Sequence, residues 1–156
     1  MAKAKNYINN KTLYAAMIQY KNSLKEAEEK NKSKPQVSRY IGESILLICN
    51  NLAKKPNFSG YTYKQDMISD GIIDCISAVD NFDPDKTNNP FAYFTQIAWN
   101  AFIRRIQKEK KHLYTKYAAI EYANIMGETS EAQEGDKNSY DTDIKYGEWS
   151  KEQMEK

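Results

Sequence analysis

The stretch PFAYFTQIAWNAFIRRIQKEKK, residues 90–111, puts Phe91, Tyr93, Phe94, Trp99 and Phe102 ahead of a run of cations. Pro90 suits the first turn of a helix, and the pattern predicts one running to about Tyr122. On a helical grid Phe91, Phe94, Ala98, Ala101 and Phe102 share one side. Tyr93, Gln96, Asn100 and Arg104 share another, with Trp99 and Ile103 between them. A core helix uses the aromatics but not the cations. A solvated helix tolerates the cations but would not expose the aromatics. A helix that handles nucleic acid has a use for both. Arg104, Arg105, Lys108, Lys110, Lys111 and Lys116, offset by Glu109, can neutralise phosphates and release counterions. Aromatics ahead of them can stack on unpaired bases, each stack worth about 1–3 kcal/mol. The plainer alternative is an ordinary core with a solvated basic end, which the helix dipole also favours. Pattern alone leaves both open.

Three more helices are predicted upstream. In KTLYAAMIQYKNSLKEAEEKNK, Leu13, Ala16, Met17, Tyr20, Leu24 and Ala27 fall at three- and four-residue steps after Asn10 as N-cap. A charged run, residues 28–34, then reads as a linker before Pro35. In PQVSRYIGESILLICNNLAKK, Val37, Tyr40, Ile41, Ser44, Ile45, Ile48 and Leu52 form one side. Leu46, Leu47 and Cys49 widen it, so burial on more than one side is expected. NFSGYTYKQ reads as a turn. The third helix, YKQDMISDGIIDCISAVDNF, turns Met67, Ile68, Gly71, Ile72, Cys75, Ile76 and Val79 inward. Its opposite face carries Asp66, Asp70 and Asp74. DPDKTNNP is a loop of turn-forming residues. The expected fold is all-α, four helices with a flexible acidic C-terminal tail.

Sparse Gly and Pro, 6 and 4 in 156 residues, argue against many short strands. No apolar run is long enough for a membrane span, and no secretory leader is evident. Cys49 and Cys75 sit in apolar stretches and read as buried free thiols of a reducing compartment. With His112 as the one histidine, no metal site or cofactor is expected. The net charge of +2 hides an asymmetry. Residues 128–156 hold nine acidic and four basic side chains, net −5, leaving +7 for residues 1–127. That layout suits a nucleic-acid partner, though other proteins share it. Four-residue spacing does not converge the three aspartates on one ion, so they form either a solvated face or a docking surface. The absence of an activated nucleophile arrangement and of a phosphate-cradling Gly loop argues against an enzyme.

Taken together, YKQDMISDGIIDCISAVDNFDPDK and PFAYFTQIAWNAFIRRI resemble the second conserved region of bacterial sigma factors. The first is similar to the helix and VDKFD-type turn that grip core RNA polymerase. The second is similar to the aromatic helix that opens the minus-ten promoter element. The resemblance extends from about Tyr7 to Tyr122 and is closer still to the late-transcription sigma factors of T-even-type bacteriophages. NFSGYT at residues 57–62, the NP, AY and NAF elements within residues 89–102, and the opening YINNK are like theirs.

The resemblance implies a polymerase-binding face at Asp66, Ser69, Asp70 and Asp74, facing a coiled coil of the largest core subunit. It also implies a DNA-binding helix with Phe91, Tyr93, Phe94, Gln96, Trp99, Asn100, Arg104, Arg105, Lys108 and Lys111 against the non-template strand. The family's paired tryptophans fall at Ile97 and Ala98 here, and Trp99 would point about 100° away. Base capture is therefore expected from Tyr93, Phe94 and Gln96. The domain layout implied is residues 1–34 as an N-terminal helix and linker, 35–125 as a region 2-like helical domain, and 126–156 as the tail. Nothing after Tyr122 resembles the domain that reads the minus-thirty-five element. Ile144, Tyr146 and Trp149 read either as a divergent sliding-clamp motif or as part of a tail with no docking role.

The expectation is a non-enzymatic sigma factor in the cytoplasm of an infected bacterium. It would recognise an A·T-rich minus-ten-type late promoter, with a sliding clamp and a late coactivator as further candidate partners. The rivals are a helical duplex-DNA-binding regulator and a non-catalytic adaptor. A helix-turn-helix reader needs polar residues at the start of its recognition helix. PFAYF is mostly apolar and speaks against that.

Overall fold

The computed structural model describes residues 6–127, all of them helix, turn or coil with no strand. Its helices are α1 (Asn10–Glu29), α2 (Arg39–Ala53), α3 (Pro56–Ser59), α4 (Lys64–Ser77) and α5 (Pro90–Gly127). The all-α expectation holds, with one added short helix. The described residues divide into two compact units between Arg105 and Ile106, both within α5.

In the first unit α1 buries Leu13, Met17 and Tyr20. Its N-cap is Asn9 rather than Asn10, and the Asn9 side chain accepts the N–H groups of Lys11 and Thr12. Two adjacent asparagines are equally good caps by composition, and the difference follows from Asn10 being engaged elsewhere. At the other end Asn31 takes a left-handed φ of 49°, as asparagine tolerates. The Asn31 and Lys32 N–H groups then reach back to Glu28 and Ala27 carbonyls at 3.2 and 2.8 Å, closing the helix in a Schellman motif.

Capped by Ser38, α2 is the central core element and packs against α1, α3 and α4. Ile41, Ile45, Ile48, Cys49 and Leu52 are buried as expected, and Ser44 satisfies its hydroxyl on the Tyr40 carbonyl at 2.8 Å. Leu46 and Leu47, and Tyr40 with them, are instead exposed. An apolar face wider than one helical stripe does not guarantee partners on both flanks. The predicted turn NFSGYTYKQ, residues 57–65, instead opens within α3, which has Pro56 at its first position and Phe58 buried between Trp99 and Phe102.

Met67, Ile68, Gly71 and Cys75 face inward from α4, whereas Ile76 is exposed and Ile72 half-buried. At Gly71 a Cβ would meet the Phe102 ring at 2.9 Å and the Cys49 sulfur at 3.3 Å. The missing side chain therefore permits the close approach of α2, α4 and α5. Cys49 and Cys75 are both buried and free. The Cys75 thiol lies against the Phe94 carbonyl at 3.4 Å, and its hydrogen bond with Cys49, together with burial, pushes its pKa up.

Val79 and Phe82 anchor the turn after α4 in the core. Asn89 then caps α5 through the Ala92 N–H at 3.0 Å, and Pro90 is buried at its start. Of the five residues expected to share one side of α5, Phe94, Ala98, Ala101 and Phe102 are buried and Phe91 is half-buried. In the second unit the described residues are the rest of α5, which ends at Gly127 rather than near Tyr122.

Candidate nucleic-acid and partner interface

The aromatic half of α5 is more committed to the core than expected. Phe94 is 0% exposed, so its ring offers no face to an incoming base, and it leaves the candidate set. Tyr93 is half-buried, with its ring edge-on to Phe82 at 5.2 Å and its hydroxyl donating to the Ala78 carbonyl at 2.8 Å. Burial, then the neighbouring Cys75, raises its pKa. Trp99 is half-buried against Phe58 at 4.8 Å. Gln96 and Asn100 are exposed and joined by a 3.0 Å hydrogen bond one turn apart. Of the predicted base-capture trio, only Gln96 stands open.

Phe91 has a different setting. Its ring meets Tyr7 edge-on at 5.8 Å, and its N–H donates to Asn10 Oδ1 at 3.2 Å. Asn10 also donates to the Asn88 carbonyl at 3.5 Å. These contacts bring the N-termini of α1 and α5 together around an open cleft of about 600 Å³, lined by Asn6, Tyr7, Ile8, Asn9, Asn10, Lys11, Asn89 and Phe91. Two aromatic rings, four primary amides and a cation suit a planar polar ligand. Asn9, Asn10 and Asn89 already accept backbone N–H groups through Oδ1, so what they still offer a ligand is mainly N–H donors. Sequence reasoning missed Tyr7, Asn9, Asn10, Lys11 and Asn89 as site residues. The available signal was a pair of asparagine-rich runs, NYINNK and TNNP, each ahead of a helix.

The three aspartates of α4 do not form one face. Four-residue steps drift about 40° each on a 3.6-residue helix, which carries Asp70 and Asp74 toward the arginines of α5 and leaves Asp66 exposed. Asp70 accepts both Arg105 Nε at 2.6 Å and Arg105 Nη2 at 2.9 Å, and Asp74 pairs with Arg104. Two predicted polymerase contacts are thus engaged with two predicted phosphate contacts, and neither set is an open surface. The solvent face of α4 is instead Asp66, Ser69, Ile73 and Ile76. Ser69 donates to the Gln65 carbonyl at 3.0 Å. This face is apolar at its C-terminal end and acidic at its start.

Lys108 and Lys111, in the second unit, are exposed. Ile144, Tyr146 and Trp149 lie outside the described residues.

Residues 52–112 match the family model described as Sigma-70 region 2. The matched span runs from the end of α2 through α3, α4 and the turn into α5, and so includes both the open α4 face and Phe91. The likeness to sigma-70 region 2 is thus carried by this stretch of the chain. No curated protein matches the chain. No helix among the described residues is long and apolar enough to cross a membrane.

Proposed function

We propose that this chain is a non-enzymatic sigma factor of the T-even-type phage late class. It docks on the host's core RNA polymerase and opens an A·T-rich minus-ten-type promoter. The observation that carries this reading is the match over residues 52–112, spanning an open α4 face and an α5 start that bears an aromatic cleft. In this reading Asp66, Ser69, Ile73 and Ile76 meet the coiled coil of the largest subunit. The isoleucines supply apolar burial and Asp66 a charge for a basic partner. A base lifted from the non-template strand stacks on Tyr7, which is 47% exposed and backed by the Phe91 ring, and Asn6 with the remaining amide N–H groups of the cleft reads its edge. Gln96 and Asn100 line the strand further along, and Lys108 and Lys111 hold phosphates.

The energetics are consistent. Extruding a base costs a few kcal/mol, and a stack on an aromatic ring returns about 1–3 kcal/mol. One small domain therefore binds weakly alone, and attachment to the polymerase supplies the missing affinity as effective concentration. A sliding clamp engaging Ile144, Tyr146 and Trp149, and a late coactivator, belong to the same proposal and rest on resemblance alone. So does action in the cytoplasm of an infected bacterium.

The test is run-off transcription from a supercoiled A·T-rich minus-ten template with bacterial core polymerase, with and without the protein. Native protein should give specific initiation. Ile73→Arg should abolish it together with co-purification on the core. A Tyr7→Ala/Phe91→Ala variant should keep co-purification and lose promoter opening. Native protein that neither initiates nor co-purifies with core polymerase would overturn the reading.

A further inference from the structure

We propose that Asp74 is an internal competitor for DNA. It holds Arg104 in the free protein and surrenders it to a backbone phosphate, while the neighbouring Asp70–Arg105 pair stays closed as a fixed brace. This rests on the reading of α5 as a DNA-binding helix and concerns the regulation of that same surface.

Two ion pairs join α4 and α5 side by side, yet their settings differ. Arg105 and Asp70 have side chains only 18% and 29% exposed, and the guanidinium forms a two-point fork on the carboxylate. Arg104 and Asp74 are 64% and 34% exposed and share a single contact. A fork held away from water resists exchange, because either partner left behind would stay partly desolvated. An exposed single contact is near balance with solvation of its two ends. A phosphate oxygen offers a guanidinium the same chemistry as a carboxylate oxygen. Arriving DNA can therefore exchange one anion for another at Arg104 without disturbing Arg105. Asp74 is one helical turn beyond Asp70, and Arg104 precedes Arg105 directly, so the brace keeps the exchangeable pair in register.

An arginine already paired with a carboxylate adds less to counterion release than a free one. Removing Asp74 converts Arg104 into a free phosphate ligand.

The experiment measures binding of the full chain to a fluorescent oligothymidine by anisotropy across a salt series. Native protein, Asp74→Asn, Arg104→Gln, the double variant and Asp85→Asn are compared. Asp85 is an exposed loop carboxylate, so its variant controls for one unit of charge. Asp74→Asn should bind about two- to fivefold tighter and steepen the log–log salt slope by about 0.7, with Asp85→Asn changing much less. Arg104→Gln should cost more affinity in the Asp74→Asn background than in the native one. Equal shifts for Asp74→Asn and Asp85→Asn, an equal cost of Arg104→Gln in both backgrounds, or no measurable binding by any variant would overturn the proposal. Run-off transcription by the native chain separates the two readings. Initiation without this coupling removes the competitor and leaves the sigma reading, whereas coupling without initiation does the reverse.

Discussion

Asn10 Oδ1 accepts the backbone N–H of Phe91 at 3.2 Å, across 81 positions of sequence, and so fastens the first turn of α1 to the first turn of α5. An orphan donor at a helix start is thereby satisfied by a side chain from another helix. The same bond holds Phe91 in place beside Tyr7.

Asn10→Ala should therefore cost about 0.5–1.5 kcal/mol, the usual net worth of one such bond. The check is urea unfolding followed by circular dichroism, where the midpoint should fall with the slope unchanged. An unmoved midpoint would mean that solvent replaces Asn10 at no cost.

Gly71 and Gly42 should respond oppositely to alanine. A Cβ at Gly71 would meet the Phe102 ring at 2.9 Å, whereas nothing lies within 4 Å of one at Gly42. Gly71→Ala should destabilise by about 1–3 kcal/mol through overpacking. Gly42→Ala, in a helix, should stabilise by up to about 1 kcal/mol. Thermal midpoints of the two variants moving in the same direction would contradict the packing described for α4 and α5.

Asp80 links stability to acid. Its carboxylate pairs with Lys34 and accepts the Tyr20 hydroxyl at 2.8 Å, and the Lys34 hydrogen bond comes first in holding its pKa below the ordinary value. A depressed folded pKa gives stability that is present above the unfolded value of about 3.9 and lost as pH falls through the folded one. Asp80→Asn should be less stable at neutral pH and lose less on acidification. Tyr20 works at the other end. Burial and then Asp80 push it up to about 12. Its contribution is thus complete below about 10 and fades as pH rises through the folded value. Unfolding midpoints measured from acid to alkaline pH would show both limbs in the native chain, and the acid limb should shrink in Asp80→Asn.

Asp70 and Ile73 are neighbours on α4 with separable roles. Asp70→Asn weakens the fork with Arg105, and a bond to a charged group is worth about 1.5–3 kcal/mol. Its thermal midpoint should fall. Ile73 is 61% exposed, and Ile73→Arg should leave the midpoint within measurement error while abolishing capture of core polymerase. A fold lost in Ile73→Arg, or one untouched in Asp70→Asn, would reverse the assignment of the two faces.

Local periodicity located the four long helices to within a few residues, because apolar spacing, caps and prolines act over one or two turns. It also put Phe91, Phe94, Ala98, Ala101 and Phe102 on one side of α5, and all but the half-buried Phe91 are buried. It failed where a residue's environment depends on a distant partner. Leu46 and Leu47 look like core and are exposed, while Phe58 looks like part of a turn and is core. Phe94 fits a stacking position by motif and is packed inside by geometry.

What the sequence by itself determined is the helical class, the order and approximate extent of the long helices, and the charge carried on each. Those follow from steric and hydrogen-bonding preferences that act between residues three or four apart. Only the tertiary structure decided which charges are available. Asp70 and Asp74 meet arginines 35 and 30 positions away, and Tyr7 meets Phe91 across the chain to frame a cleft. No local spacing encodes such meetings, because they depend on how whole helices pack around Gly71, Phe58 and Phe102.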